Sequence, residues 1–238
     1  MSRNDVHPLR LRPRRPPVVA IGGMDRAGKS IQRRALMEHL VASGYEPVYR
    51  WSRVGYTRRL ERAKRWLRRL RGGGVREADA PRSYPQRASR MRSPAKRRLW
   101  MTVALLDLLW EYAISVRSLR ARGRAVVCDR WLCDALVDLR VNFPQDRVEE
   151  RWLWRLLERV ALRPDASFLL LISPEESLRR AHESGRRHVE PREVLESRLV
   201  EYRRIAASGL GVAVDAGRDP DTIAKELRER LDAALLER

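Results

Sequence analysis

Eight residues, Gly23 to Ser30, carry the clearest chemistry in the sequence. They read GMDRAGKS and fit the pattern G-x-x-x-x-G-K-[ST]. Glycines in such a loop let successive backbone N–H groups face a polyphosphate, and the N-terminus of the following helix adds partial positive charge. In this pattern Lys29 reaches the β- and γ-phosphates of ATP, and Ser30 is a Mg²⁺ ligand. The predicted phosphate-binding residues are Gly23, Met24, Asp25, Arg26, Ala27, Gly28, Lys29, Ser30 and Ile31.

A buried strand and a helix position this loop. Val18 to Ile21 is a continuous apolar run, typical of a strand covered on both faces, and a helix is predicted from Gly28 to about Ser43. Alternating strands and helices favour an α/β fold, in which about five parallel strands lie between two layers of helices. Further strands are predicted at 47–51, 125–128, 167–172 and 211–214, and further helices at 94–121, 131–141, 148–160, 189–205 and 220–236.

The net charge of +20 is concentrated in two segments. Residues 1–16 hold five Arg and one Asp and are predicted to be a flexible basic tail, followed by one domain at 17–238. Residues 50–98 hold eighteen Lys or Arg and three acids, and 52–98 is predicted to be a basic insert. A basic segment steers anionic ligands, contacts an anionic membrane, binds nucleic acid or is simply solvated. We favour the solvated alternative over the membrane and nucleic-acid contacts.

Several classes of protein do not fit the composition. The 238 residues contain two cysteines, Cys128 and Cys133, which excludes a disulfide framework. The longest apolar stretch, Met101 to Val116, is interrupted by acidic residues, so we expect no transmembrane helix. No secretory signal pattern is present, and the four histidines are scattered without a metal-ligand spacing. The expected location is the cytoplasm.

Several stretches of the chain resemble the thymidylate kinase family. They are the phosphate loop at 23–32, the Asp-Arg-aromatic motif at the end of a strand at 126–131, lid and post-lid motifs at 187–190 and 195–202, and an adenine-packing loop at 214–219. The resemblance covers residues 17–236 except 52–98, which the family replaces by a shorter acceptor-side segment. It implies a three-layer P-loop kinase fold with a lid at about 174–195.

The resemblance also implies roles for individual residues. Asp25 would bind a hydroxyl of the acceptor, although a helix cap or a loop ion pair is an alternative. Arg26 would lie beside the transferring phosphoryl group, and Arg130 would clamp the acceptor phosphate. Asp129 would lie near Mg²⁺, through water, or would pair with Arg130. The catalytic set is then Lys29, Arg26, Asp25 and Arg130, with lid arginines Arg179, Arg180, Arg186 and Arg187.

Four features depart from the family pattern. Ile31 replaces a hydroxyl residue, and residues 52–98 are longer than expected. The positions where the family reads a base are Leu105 and Leu109, unless Trp110 and Arg98 substitute for them. Asp134 and Asp138 share one helix face where the family has base-contacting residues. They are predicted either to bind the acceptor, with Asp25, Asp129 and Arg130, or to be solvated or paired with the basic insert.

These observations predict an ATP- and Mg²⁺-dependent nucleotide kinase, with a small-molecule acceptor for which deoxythymidine monophosphate (dTMP) is the leading choice. One alternative is a divergent P-loop kinase acting on a sugar or a different nucleotide. Another is an ATPase that binds nucleic acid or a membrane through residues 50–98. A homodimer is compatible with all three.

Overall fold

The computed structural model describes residues 15–55, 57, 59–62, 66, 93–185 and 189–237. Most of the basic tail, most of the insert, and Arg186 and Arg187 of the lid lie outside the described residues. The predictions made for those residues therefore stay predictions.

Five parallel strands form one open sheet in the order β2-β3-β1-β4-β5. The strands are β1 (Val18–Gly23), β2 (Pro47–Trp51), β3 (Ala125–Asp129), β4 (Ala166–Leu171) and β5 (Val212–Asp215). Every residue of β1 and of β3 is buried, as the continuous apolar runs of both strands require. The predicted α/β class and the parallel sheet of about five strands are confirmed.

The helices follow the strands along the chain. They are α1 (Lys29–Ala42), α2 (Pro94–Ala121), α3 (Leu132–Asn142), α4 (Trp152–Val160), α5 (Pro174–Glu183), α6 (Arg192–Ala207) and α7 (Pro220–Leu236), with short 3₁₀ turns at Pro144–Asp146 and Val148–Glu150. Within α2, residues Trp110–Ser115 form a π-helical turn. The helix predicted at 148–160 is therefore a 3₁₀ turn followed by α4, because the chain leaves helical geometry at Arg151.

The strand register brings two loops of the predicted site together. Ile21 of β1 lies beside Asp129 of β3, and Gly23 lies beside Leu170 of β4. Because the strands are parallel, the residues that follow β1 and β3 leave the sheet at the same edge. In open α/β sheets, ligands bind at this carboxyl edge of the strands.

Helix α2 is long and apolar enough, by length and composition, to cross a membrane. Its 28 residues include an 18-residue window with a mean hydropathy of 1.4, and 44% of that window is buried within the fold. A buried helix in the core of a protein that crosses no membrane can meet the same criteria of length and composition. The expectation of no transmembrane helix rested on Asp107 and Glu111, both of which lie buried in this helix.

Candidate active site

The loop between β1 and α1 adopts a backbone that its glycines permit. Gly23 has φ 116°, and a Cβ atom there would lie 2.1 Å from the carbonyl oxygen of Leu170. Gly28, which caps α1, has φ 78° in the left-handed region. Arg26 also has a positive φ, 65°, which costs a residue with a Cβ about 1–2 kcal/mol. The loop is therefore held in an unusual conformation that ends at the N-terminus of a 14-residue helix.

Lys29 lies across this loop. Its Nζ donates hydrogen bonds to the carbonyl oxygens of Gly23, at 3.0 Å, and Met24, at 2.6 Å, and lies 3.9 Å from a carboxylate oxygen of Asp25. Burial, and then the charge of Arg130, lower the pKa of Lys29. The amine is thus partly desolvated and held at the phosphate loop by backbone oxygens, which a bound phosphate would replace as its partners.

Asp25 and Arg130 form an ion pair between the two loops. Nη2 of Arg130 lies 2.9 Å from Oδ1 of Asp25. The Arg130 backbone has φ 77°, and its N–H donates to the carbonyl oxygen of Ile21 at 2.8 Å. Burial opposes ionisation of Asp25, but Arg130 and then Lys29 outweigh it and hold the pKa of Asp25 well below its usual range. Asp25 is therefore ionised, so its carboxylate accepts hydrogen bonds and does not donate them.

The structure places Asp134 directly beneath the phosphate loop. Its carboxylate, 2% exposed, accepts hydrogen bonds from the backbone N–H of Gly23, at 3.1 Å, and of Trp131, at 3.0 Å, and from the hydroxyl of Tyr202, at 2.8 Å. A Cβ atom on Gly22 would lie 2.3 Å from Asp134 Oδ2, so only glycine leaves room for this carboxylate. Burial raises the pKa of Asp134. Asp134 ties the loop to α3 and α6.

Asp138 lies one turn further along α3 and is 1% exposed. Its Oδ1 accepts a hydrogen bond from Nη1 of Arg198 at 2.6 Å, and its Oδ2 lies 3.6 Å from Nε of Arg53. Burial opposes ionisation, but Arg198 and then Arg53 outweigh it and lower the pKa of Asp138. Glu190, within the predicted lid, also pairs with Arg198, at 2.7 Å. The alternative in which Asp138 pairs with the basic insert is realised through Arg53.

Asp129 pairs with residues other than Arg130. The hydroxyl of Tyr49 donates to its Oδ2 at 2.9 Å, and Nη1 of Arg33 lies 3.4 Å from the same oxygen. Burial, together with the Asp129 carboxylate, raises the pKa of Tyr49 to about 12, so this hydroxyl remains a donor. Among the described residues, no cluster of three or more His, Cys, Asp or Glu side chains is arranged to hold a metal ion.

Helix α5 contacts the phosphate loop from the lid side. Ser177 donates to the backbone oxygen of Asp25 at 2.9 Å, and Arg180 donates to the backbone oxygens of Arg26 and Ala216, each at 3.1 Å. Arg180 therefore holds the loop through backbone contacts. Arg179 instead pairs with Glu176 and Glu183 of its own helix.

The two leucines at the positions where the family reads a base are buried or partly buried. Leu105 is fully buried in the core, and Leu109 is partly buried against it. Trp110 is exposed, and the guanidinium of Arg59 stacks on its ring at 4.0 Å. Arg98 is exposed at the first turns of α2.

The sequence patterns predicted only some of the residues that form hydrogen bonds and ion pairs around the loop. Arg198 and Tyr202 lie in the post-lid motif at 195–202, but their pairing with Asp138 and Asp134 was not foreseen. Arg53 could not be singled out from the sequence, because its segment contains many arginines.

In comparisons with known proteins, no protein-family model matches the chain, and no curated protein matches it either.

Proposed function

We propose that the protein is an ATP-dependent kinase of the thymidylate kinase-like type, with a P-loop kinase fold, which transfers the γ-phosphoryl group to a nucleoside monophosphate. The observation that carries the proposal is the loop from Gly23 to Ser30, which leads from the buried β1 into α1 with the Lys29 amine resting on it. Backbone N–H groups, a helix N-terminus and a desolvated amine together suit a polyphosphate.

The charged groups around the loop have separate tasks in this proposal. Lys29 and Arg26 neutralise charge on the transferring phosphoryl group, and Arg130 binds the acceptor phosphate. Within the described residues, neither the Arg26 guanidinium nor the Ser30 hydroxyl has a hydrogen-bond partner, so both suit a ligand. Asp25 accepts a hydrogen bond from an acceptor hydroxyl once the acceptor phosphate takes Arg130.

In this proposal Ser30 would hold a bound Mg²⁺ directly and Asp129 would hold it through water, because Asp129 ends β3 at the same edge of the sheet from which the loop leaves β1. Mg²⁺ supplies charge neutralisation for the β- and γ-phosphates. The protein's own contribution is then positioning and fixed positive charge.

The acceptor is proposed to be dTMP. Asp134 and Asp138 gave the strongest reason to consider a sugar or a different nucleotide, but their oxygens contact N–H, hydroxyl and guanidinium groups of the protein. A carboxylate whose oxygens already accept hydrogen bonds from the protein positions the site rather than binding substrate. The buried Leu105 favours the second candidate function, a kinase for another small molecule, because it cannot hydrogen-bond a base.

A panel of acceptors tests the proposal. Purified protein with ATP and Mg²⁺ is incubated with dTMP, other nucleoside monophosphates, thymidine and simple sugars, and the phosphorylated product is measured together with ADP. We expect transfer to dTMP. Transfer to a sugar alone would select the divergent kinase, and ADP release that requires DNA or anionic vesicles would select the ATPase.

Lys29→Ala provides the mechanistic control. Loss of its contact with the transferring group is expected to lower turnover about a hundredfold or more, since removing one fixed donor from developing negative charge costs roughly 2.7–4 kcal/mol. Lys225→Ala, which removes an exposed lysine on α7, is expected to leave turnover unchanged. Thermal unfolding of both variants should match the parent. A Lys29→Ala protein with most of its turnover would rule out the kinase proposal.

A further inference from the structure

Arg180 lies between two loops at the carboxyl edge of the sheet. It belongs to α5, which follows β4, and β4 pairs with β1 on one side and with β5 on the other. The loops that follow β1 and β5 therefore leave the sheet two strand spacings apart, about 9.6 Å. The side chain of Arg180 contacts both loops from the helix between them.

The guanidinium of Arg180 reaches each loop through a backbone oxygen. Its Nη1 donates to the carbonyl oxygen of Arg26 in the phosphate loop, and its Nη2 donates to that of Ala216 after β5, each at 3.1 Å. Its Nε donates to Oε1 of Glu176, on the same helix, at 2.5 Å. Each nitrogen atom thus has an acceptor in a different segment, and the rigid guanidinium plane joins the three segments.

Both loops contain backbone that depends on such contacts. Arg26 has φ 65°, and a residue with a Cβ keeps this conformation only where its surroundings fix it. Ala216 follows β5, a four-residue strand at the edge of the sheet. At the start of α7, the carbonyl oxygen of Pro220 accepts a hydrogen bond from the amide of Gln32 on α1 at 2.9 Å. The loop after β5 is therefore held at both ends by contacts with α5 and α1.

We propose that Arg180 is a positioning residue for the donor nucleotide, which fixes the separation of the two loops so that one ATP molecule contacts both. The inference rests on the proposed function, in which the triphosphate lies in the phosphate loop. The nucleoside extends beyond that loop, and residues 214–219 are the segment predicted to pack on its base. A separation that is fixed before binding spares ATP the entropic cost of ordering the second loop.

Inorganic tripolyphosphate distinguishes this role from support of the phosphate loop alone. It carries the anionic groups that the phosphate loop would bind, but it has no nucleoside to contact the loop after β5. Arg180→Ala should therefore weaken the binding of ATP more than that of tripolyphosphate. Ser177, also on α5, provides the comparison, because its hydroxyl donates to the backbone oxygen of Asp25 in the phosphate loop at 2.9 Å. Ser177→Ala should weaken both ligands by the same factor.

Isothermal titration calorimetry of the full-length protein, with Mg²⁺ and without acceptor, tests the proposal. We expect Arg180→Ala to weaken ATP about tenfold more than tripolyphosphate, which corresponds to the loss of one hydrogen bond from a charged group. Arg180→Lys should resemble Arg180→Ala, because lysine lacks the planar fork that joins the two carbonyl groups. Arg117→Ala is the matched control and should leave both affinities unchanged, since Arg117 joins α2 to the backbone oxygen of Val160 at 2.8 Å.

The results separate this inference from the proposed function. A parent protein that binds both ligands, with Arg180→Ala weakening them by the same factor or not at all, would overturn the inference and leave the proposed function intact. A parent that binds neither ligand would remove the proposed function and this inference with it. Binding of tripolyphosphate reports an intact phosphate loop in each variant, and circular dichroism confirms that each variant is folded.

Discussion

Arg130 is the residue through which the two loops of the site contact each other. Its guanidinium holds Asp25 at 2.9 Å, and its backbone is fixed in the left-handed region beside β1. If it clamps the acceptor phosphate, Arg130→Ala should raise the KM of a phosphorylated acceptor about thirty- to two-hundredfold, since such a contact is worth roughly 2–3 kcal/mol. The KM of ATP should change little.

Initial-rate kinetics with each substrate varied in turn checks this expectation. Arg230→Ala, which removes an exposed arginine that pairs with Glu226 on α7, is the matched control and should leave both constants unchanged. Arg130→Lys should recover only part of the loss, because a lysine cannot form two parallel hydrogen bonds. A rise confined to the KM of ATP would place Arg130 on the donor side.

The strand, loop and helix at Gly23 to Ser30 were predictable because their signals are local in the sequence. Gly23, Lys29 and Ser30 lie within eight residues of one another, and the strand before them is a continuous apolar run. The role of Asp134 was not predictable, since its partner Gly23 is 111 positions away in the chain. Nothing in a sequence distinguishes a carboxylate that faces a ligand from one that faces backbone N–H groups until the fold brings those groups together.

At the scale of elements, the approach of α3 to the end of β1 depends on one missing side chain. Gly22→Ala would place a methyl group 2.3 Å from Asp134 Oδ2 and is expected to cost about 1–3 kcal/mol of stability. In an Asp134→Ser background the clash is relieved, so the same substitution should cost at least about 1 kcal/mol less. Urea unfolding of the four proteins measures this coupling.

Gly28→Ala separates backbone strain from this contact. Gly28 has φ 78°, and no atom lies within 4 Å of a Cβ added there. Gly28→Ala should therefore lower the stability by about 1–2 kcal/mol in the parent and in the Asp134→Ser background alike. If Gly22→Ala also lowered the stability by the same amount in the parent and in the Asp134→Ser background, the packing of Asp134 against β1 would not be the reason for a glycine at position 22.

The order and type of the elements were largely predictable, and each predicted strand formed within one or two residues of its predicted limits. Helix starts were less predictable, since the helices predicted from 148 and 189 begin at Trp152 and Arg192. The long helix at 94–121 formed as expected, yet its π-helical turn at Trp110–Ser115 left no mark in the periodicity. Asp107 and Glu111 interrupt the apolar pattern of this helix. Their burial could not be predicted, because their partners Thr57 and Arg50 come from a distant part of the chain.

At the scale of the whole molecule, buried ion pairs link the phosphate loop, α3, α6 and the segment after β2, and their stability depends on pH. The pKa of Asp138 is lowered in the folded protein by Arg198 and Arg53, against the effect of burial. A lowered folded-state pKa means that ionised Asp138 stabilises the fold above its unfolded pKa, about 3.9, and that this contribution is lost as pH falls through the folded value. Asp25 changes stability in the same direction.

Asp138→Asn tests this dependence directly. The variant leaves Arg198 with Glu190 as its remaining carboxylate, so it should be less stable than the parent at pH 6 by about 3–5 kcal/mol, the cost of breaking a buried pair. As pH falls below the unfolded pKa of about 3.9, the unfolded parent binds a proton at Asp138 before the folded parent does, so the difference between the urea midpoints of parent and variant should shrink toward the lower folded pKa. Asp146→Asn, which breaks the pair with Arg97 away from the site, is the matched control. A difference between parent and Asp138→Asn that stayed constant from pH 6 to pH 3 would mean that Asp138 contributes through packing rather than charge.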